Sequence, residues 1–559
     1  MQLSDVVEVS AGVTATSARN AKIAQIATLL ARAEPGQVAV AVAFLSGELL
    51  QGQIGVGYAT IGELFRAADA AGADDGGNAA PLTLTEVNEA FTAIGAVTGP
   101  GSVALRREQL AALFARAADS EREFLVRLLA GDLRQGALEG VMTEAVAKAA
   151  GVPAEEVRRA HQLGGSLPEV AEAALGGTGQ AGTAQATADQ ELREDAEGQD
   201  GTPSPEGVLA ALRGFTLRVG RPARPMLAAS APDVAAALAK ISPAAAEWKI
   251  DGIRIQVHRG GDEVAVFTRT LDDITARVPE IVEAALSLPV TTAVLDGEAV
   301  ALAPDGRPRP FQVTAARTAS QADVGRMRGQ TPLTPFLFDL LHLNGIDLID
   351  EPDGERHRLL SEIAPATLLT PRIVTADLAV AEAFFADAVA QGHEGLVLKS
   401  LDAPYRAGRR GGEWIKVKPR HTLDLVILAA EWGHGRRRGV LSNLHLGARD
   451  PETGGLVMLG KTFKGLTDEM LAWQTARLLD LADPPEQIAA DADHRQAYGV
   501  VRVRPELVVE VAFDGVQASR RYPGGLALRF ARVLRFRPDK KAADADTIDA
   551  VRALWAGEP

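Results

Sequence analysis

Residues 247–259 read EWKIDGIRIQVHR. Ile253, Ile255 and Val257 alternate with Arg254, Gln256 and His258, the period expected of a strand with one apolar and one polar face. Lys249 stands just ahead of that strand, in a polar cluster of pattern K-x-D-G-x-R running to Arg254. Taken alone, a solvated turn before a strand accounts for this stretch as well as a reactive site does. The decision rests on what the rest of the chain brings to it.

Further polar groups stand at strand ends downstream. LDGEAV puts Asp296 and Glu298 two residues apart, hence on one face of a strand. HEGLVLKS sets Glu394 at the entry of an apolar strand and Lys399 at its exit, and WIKVKP sets Lys416 and Lys418 on one face. FLFDLL, around Phe338, reads mostly as a buried strand. Several cations and at least two carboxylates beside Lys249 suit a triphosphate with bound Mg²⁺. Lysines neutralise phosphate oxygens, and carboxylates hold a hard cation through oxygen.

On either side the pattern changes. Residues 1–175 read as helical: Ile23, Ile26, Leu29 and Leu30 share one face, as do Phe124, Leu125, Leu128 and Leu129. Residues 176–207 hold one arginine against seven acids and almost no large apolar residues, the composition of a flexible linker. From 208 to 421 strands alternate with helices. Beyond 421, LDLVILAAEW, LSNLHLG, GLVMLGKT and ELVVEVAF are short strands at the spacing of a small barrel, with a helical insert near TDEMLAWQTARLLDL.

Composition bounds the chemistry. The 559 residues suffice for roughly three or four domains of about 150 residues. With no cysteine, disulfides, thiolate zinc sites and a cysteine nucleophile are excluded, and the nine histidines include no H-x-x-x-H pair. No basic-then-apolar leader or membrane-length apolar run is visible, so a cytoplasmic protein without a membrane partner is expected. The formal net charge is −15, yet residues 399–440 and 502–541 each carry ten Lys/Arg against four Asp/Glu. Local basic surface, rather than the whole-chain sum, decides nucleic-acid binding.

Six segments then occur in order: K-x-D-G-x-R from Lys249, TRT around Arg269, DGE ending at Glu298, FLFD around Phe338, EGLVLK from Glu394, and WIKVK ending at Lys418. Together they resemble the ordered motifs of covalent nucleotidyltransferases, the superfamily of DNA ligases and mRNA capping enzymes. LRFARVLRFRPDK, Leu528 to Lys540, resembles the closing R-x-D-K motif of ATP-dependent DNA ligases, and SARNAKIAQIATLL resembles their helical DNA-binding domain. The resemblance covers nearly the whole chain apart from the linker.

The resemblance implies an all-α N-terminal DNA-binding domain (1–175), a linker (176–207), an α+β nucleotidyltransferase domain of ATP-grasp-like type (208–421) and a C-terminal OB-fold β-barrel (422–559). It implies ATP as adenylate donor, Mg²⁺, nicked double-stranded DNA as partner, and work in DNA replication, repair or recombination as a nucleoid-associated monomer. Lys249 would carry AMP through a phosphoamide bond, then pass it to a 5′-phosphate that the 3′-hydroxyl attacks. Glu247 and its backbone would meet adenine and Phe338 would stack on it; Arg254 and Glu298 would contact ribose. Arg269, Arg410, Lys416 and Lys418 would face phosphate, and Glu298 and Glu394 would hold metal. Arg537 and Lys540 would reach pyrophosphate when the barrel closes. Cationic neighbours such as Arg254, Lys416 and Lys418 would help keep Lys249 uncharged. On sequence grounds Phe338 serves equally as a core aromatic and Arg410 as a solvated loop residue, and FTRT departs from the family's usual serine-arginine start.

Other readings remain open. An RNA ligase or capping-type enzyme shares the motif order, and a non-catalytic DNA-binding scaffold would share the fold. An NAD⁺-dependent ligase is disfavoured because that family builds a cysteine zinc finger. GLVMLGKT, Gly455 to Thr462, matches the P-loop expression, but its apolar middle after a hairpin-like DPETGG predicts a strand instead.

Overall fold

The computed structural model describes residues 1–70, 81–133, 135–136, 139–164, 166–176, 204–319, 323–406, 410–434, 437–483 and 499–555. Most of the expected linker, residues 177–203, lies outside the described residues. So does the side chain of Arg410.

The chain folds into several bodies of helix and sheet. Among the described residues up to 213 the regular elements are helices, including Arg19–Leu30, Val38–Ser46, Leu84–Ala96, Asp119–Leu129, Glu139–Ala150 and Ala154–Gly164. Their apolar stripes meet in one core, where Phe44 and Phe91, both 0 % exposed, lie 5.9 Å apart. Local chemistry sets the helix ends. The Thr83 hydroxyl accepts from the Glu86 N–H, and Glu86 accepts in return from the Thr83 N–H, before Leu84–Ala96 begins. The helix Pro205–Arg213 buries Val208 and Leu212 in this same core, so the boundary expected at 208 falls inside a helix that packs with the N-terminal body.

Two five-stranded sheets follow. The strands are β1 (Leu227–Ser230), β2 (Ala244–Trp248), β3 (Ile253–Gly260), β4 (Glu263–Thr268), β5 (Thr292–Ala301), β6 (Leu333–Leu343), β7 (Ile346–Asp347), β8 (Arg372–Thr375), β9 (Leu396–Ser400) and β10 (Arg410–Val417). One sheet runs β1-β10-β9-β2-β8, the other β4-β3-β5-β6-β7. β2 ends at Trp248 and β3 starts at Ile253, so the turn between them carries Lys249 from one sheet to the other.

The last body holds β11 (His421–Trp432), β12 (Leu441–Arg449), β13 (Leu456–Thr462), β14 (Val500–Arg502), β15 (Val508–Phe513), β16 (Gly515–Ala518), β17 (Leu526–Arg529) and β18 (Arg532–Phe536). Its main sheet runs β13-β12-β11-β15-β18, with β14 also on β11 and β16-β17 as a separate hairpin. The inserted helix is Asp468–Asp480. The P-loop-like expression lies on β13, extended and hydrogen-bonded to β12, so its backbone cannot wrap a phosphate. No helix among the described residues is long and apolar enough to cross a membrane.

Candidate active site between two sheets

Two glycines shape the turn that carries Lys249. A Cβ at Gly252 would lie 2.3 Å from the Ala299 carbonyl oxygen, so only glycine lets β3 approach β5 there. Gly395 has φ +124°, and a Cβ on it would lie 2.3 Å from the Val417 oxygen. These turns are tied together. The Lys249 N–H donates to the Gly395 carbonyl at 2.8 Å, and the Glu394 N–H donates to the Lys249 carbonyl at 2.9 Å. Residues 145 positions apart in sequence thereby become neighbours.

The side chains follow the backbone. Lys249 Nζ lies 2.6 Å from Glu394 Oε2, and Lys418 Nζ lies 2.8 Å from Glu394 Oε1. Burial opposes ionisation of Glu394 most strongly, but Lys249 and Lys418 together outweigh it and hold its carboxyl down to about 2. The crowding by cations expected around Lys249 is therefore not the arrangement observed. Its direct partner is a carboxylate, shared with one of the anticipated lysines.

Glu298 lies opposite Arg254 in the β3–β5 register. Its carboxyl is pushed up to about 7, first by burial and further by Glu394 and Asp251, against the pull of Lys249 and Arg254. Asp251 is raised too, by burial and then by Glu394, while Arg529 from the C-terminal body sits 3.3 Å away and opposes this. Three acids thus crowd one lysine.

The other predicted residues divide. Arg254 donates to the Met226 carbonyl at 2.6 Å and pairs with Asp296, its guanidinium 5.3 Å from the Phe338 ring centroid and 5.8 Å from that of Trp414. Phe338 lies half-buried where the two sheets meet, packed against the cluster that holds Trp414 and Tyr405. Lys416 is half-buried two residues beyond Trp414 on β10, on the face Trp414 presents to the cleft. Arg269 lies exposed on the turn after β4, and no described ion pair of the site includes it. Arg537 and Lys540 both pair with Asp424 of β11, at 2.8 and 2.6 Å.

Glu247 belongs to a network that the sequence did not announce. It is 3 % exposed and accepts from Arg372 at 2.6 Å, directly opposite on β8, and from Lys399 at 2.7 Å, diagonal on β9. Arg372 also pairs with Asp353 at 2.8 Å, and Arg356 with Asp339 at 2.7 Å. Three buried bases balance three buried acids, as such burial requires. Lys399 additionally donates to the Phe338 carbonyl at 2.9 Å, fastening one sheet to the other behind the cleft.

Lys418 also reaches Asp514 at 3.2 Å, and the Arg529 guanidinium lies 5.5 Å from the Phe311 ring. The C-terminal body thus meets the cleft on the Lys249 side.

Known proteins resemble this chain throughout. The family models described as ATP dependent DNA ligase domain, ATP dependent DNA ligase C terminal region and DNA ligase N terminus match residues 225–418, 437–540 and 73–147. A "Probable DNA ligase" of Mycobacterium sp. (strain KMS) is 54% identical over 561 residues, covering 99% of both chains. Another, of Anaeromyxobacter dehalogenans (strain 2CP-C), is 53% identical over 558 residues and covers 100% of both. Among solved structures, the one titled Pmar-Lig_Pre. covers 95% of this chain and 99% of its own, at 15% identity and TM-score 0.57, a likeness of fold.

Proposed function

This chain belongs to the ATP-dependent DNA ligase family, and on that premise we propose how its residues join a nicked duplex. Nick sealing with ATP is the activity of the family. The observation that carries our assignment of roles is the placement of Lys249 at 2.6 Å from Glu394, with Glu298, Asp251 and Lys418 around them.

In the first step the neutral Lys249 amine attacks the α-phosphorus of ATP: a nitrogen–phosphorus bond forms, the bond to pyrophosphate breaks, and the nitrogen releases one proton to solvent while keeping one N–H. Glu394, 2.6 Å from the amine, aims it at the phosphorus. Lys416 and Lys418, with Arg269 and Arg410, meet the phosphates; Phe338 and Arg254 line the nucleoside side. Glu247 serves adenine from within its ion network, each of its oxygens retaining a lone pair. In the second step AMP moves to the 5′-phosphate of the nick, and in the third the 3′-hydroxyl displaces it. All three are substitutions at phosphorus, in which positioning and charge neutralisation supply most of the catalysis.

The carboxylates fit a divalent cation. Among the described residues no group of three or more His, Asp or Glu stands ready as a complete metal site. Mg²⁺ needs less, commonly one or two carboxylates with water and substrate phosphate. Glu298 and Glu394 would hold it, and it would supply charge neutralisation to the phosphates.

The three bodies take the family's parts: a helical DNA-binding domain at the N terminus, the two sheets as adenylation domain and the C-terminal sheet as an OB-fold. Arg537 and Lys540 would leave Asp424 to reach pyrophosphate. The test is a duplex with one 5′-phosphorylated nick. ATP and Mg²⁺ with the full chain should yield the joined strand, whereas labelling of the protein from GTP without joining would place it with capping enzymes.

A further inference from the structure

The hydroxyl of Tyr405 uses its whole hydrogen-bonding capacity behind the nucleotide cleft. It donates to Asp296 Oδ2 at 2.5 Å and accepts from the Met226 N–H at 2.9 Å and from Arg254 Nη2 at 3.2 Å. One donor and two acceptors are all that a phenol has. Burial, then Asp296, pushes its pKa well above the ordinary value, so the donated proton stays in place. Asp296, 0 % exposed, is also held on its other oxygen by Gln256 Nε2 at 2.9 Å, and it pairs with Arg254. Both terminal nitrogens of Arg254 are thereby committed, Nη1 to the Met226 carbonyl and Nη2 to Asp296 and Tyr405. Its Nε alone has no partner among the described residues. The guanidinium is thus fixed at two corners beside the Phe338 and Trp414 rings.

The backbone of Tyr405 meets the helical body. Its ring packs edge-on to Trp414 at 6.0 Å, in a cluster that includes Leu163 from the helix Ala154–Gly164. Its carbonyl accepts from Gln162 Nε2 of that helix at 3.2 Å, while the Gln162 carbonyl accepts from the Arg224 N–H at 2.9 Å. Arg159, a turn earlier, grips Asp350 with two bonds of 2.8 and 2.9 Å. A single tyrosine therefore joins the N-terminal helices to the arginine that lines the cleft.

Building on the reading that Arg254 contacts ATP, we propose that Tyr405 is a positioning residue for ATP capture, holding Arg254 in its binding pose and seating that pose on the helix Ala154–Gly164. Removal of the hydroxyl leaves Asp296, Arg254 and the Met226 N–H each one bond short, which loosens the guanidinium without removing it.

The test is single-turnover self-adenylylation of the full chain over a range of ATP concentrations. Tyr405→Phe should raise the half-saturating ATP concentration about tenfold and leave the plateau rate nearly unchanged. Leu163→Ala keeps every bond of the hydroxyl but unseats the ring, and it should give a smaller rise of the same kind. A merely structural role predicts a lower melting temperature and fewer active molecules with half-saturation unmoved. Half-saturation equal to that of the parent chain in both variants overturns the proposal. If the parent chain takes no label from ATP, the reading of the site fails instead, which keeps the two outcomes distinct.

Discussion

Lys249 and Glu394 meet at 2.6 Å across the junction of two sheets, and the same carboxylate holds Lys418 at 2.8 Å. The amine assigned as nucleophile is thus aimed by an acid that is itself assigned to metal.

The first prediction concerns that coupling. Glu394→Gln keeps the side chain's size but leaves an acceptor for only one of the two lysines and removes the charge that orients both. Adenylylation at fixed ATP and Mg²⁺ should slow by about a hundredfold, in line with the loss of one oriented electrostatic group. Lys418→Ala should slow it less, since Lys249 keeps its partner. Labelling rates of the purified variants decide; a Glu394→Gln protein as fast as the parent would leave Glu394 without its assigned role.

A second prediction uses His258, 1 % exposed on β3. Its Nδ1 accepts from the Gly220 N–H at 3.1 Å, and its Nε2–H donates to Gln256 at 2.9 Å, the arrangement of a neutral ring. Burial pushes its pKa down to about 4, against 6.5 ordinarily. Between those values the unfolded chain binds a proton that the folded chain refuses, so folding stability falls as pH drops from about 6.5 towards 4. One such proton is worth at most about 1.4 kcal/mol per pH unit. His258→Gln should flatten the pH dependence of urea denaturation between pH 7 and 5 relative to the parent. Identical slopes would mean that His258 does not titrate as the structure requires.

A third prediction separates the true phosphate site from its imitation. Lys461, the lysine of the P-loop-like expression, pairs with Glu431, which also accepts from His445 at 3.0 Å and Asn443 at 2.7 Å. That lysine is engaged in the C-terminal sheet. Lys461→Ala should leave self-adenylylation unchanged and cost no more than about 1 kcal/mol of stability, the scale of a partly exposed ion pair. Loss of labelling would show that the expression binds nucleotide after all.

How far the sequence carried the account depended on range. Lys249, Glu394 and Lys418 were legible because each sits in a short motif at a strand end, and Glu298 because the two-residue period of its strand fixes its face, although it lies inside β5 rather than at its end. Ile23, Ile26, Leu29 and Leu30 do lie buried on one helix, as their spacing requires. The partners of Glu247 were not legible: Arg372 and Lys399 lie more than a hundred residues away and reach it through sheet register alone. Tyr405 carried no signal, since a lone tyrosine before a loop reads as surface until the fold closes over it. Charge environment misled most at Lys249. A count of nearby lysines and arginines suggested cationic crowding, whereas distance shows the nearest charged atom to be an oxygen of Glu394.

The most direct measurement is to incubate the full chain with α-labelled ATP and Mg²⁺, digest it and locate the label by mass spectrometry. The account predicts one adenylylated residue, Lys249, and no label in Lys249→Ala. Label on any other lysine, or retention of full labelling by Lys249→Ala, would contradict it.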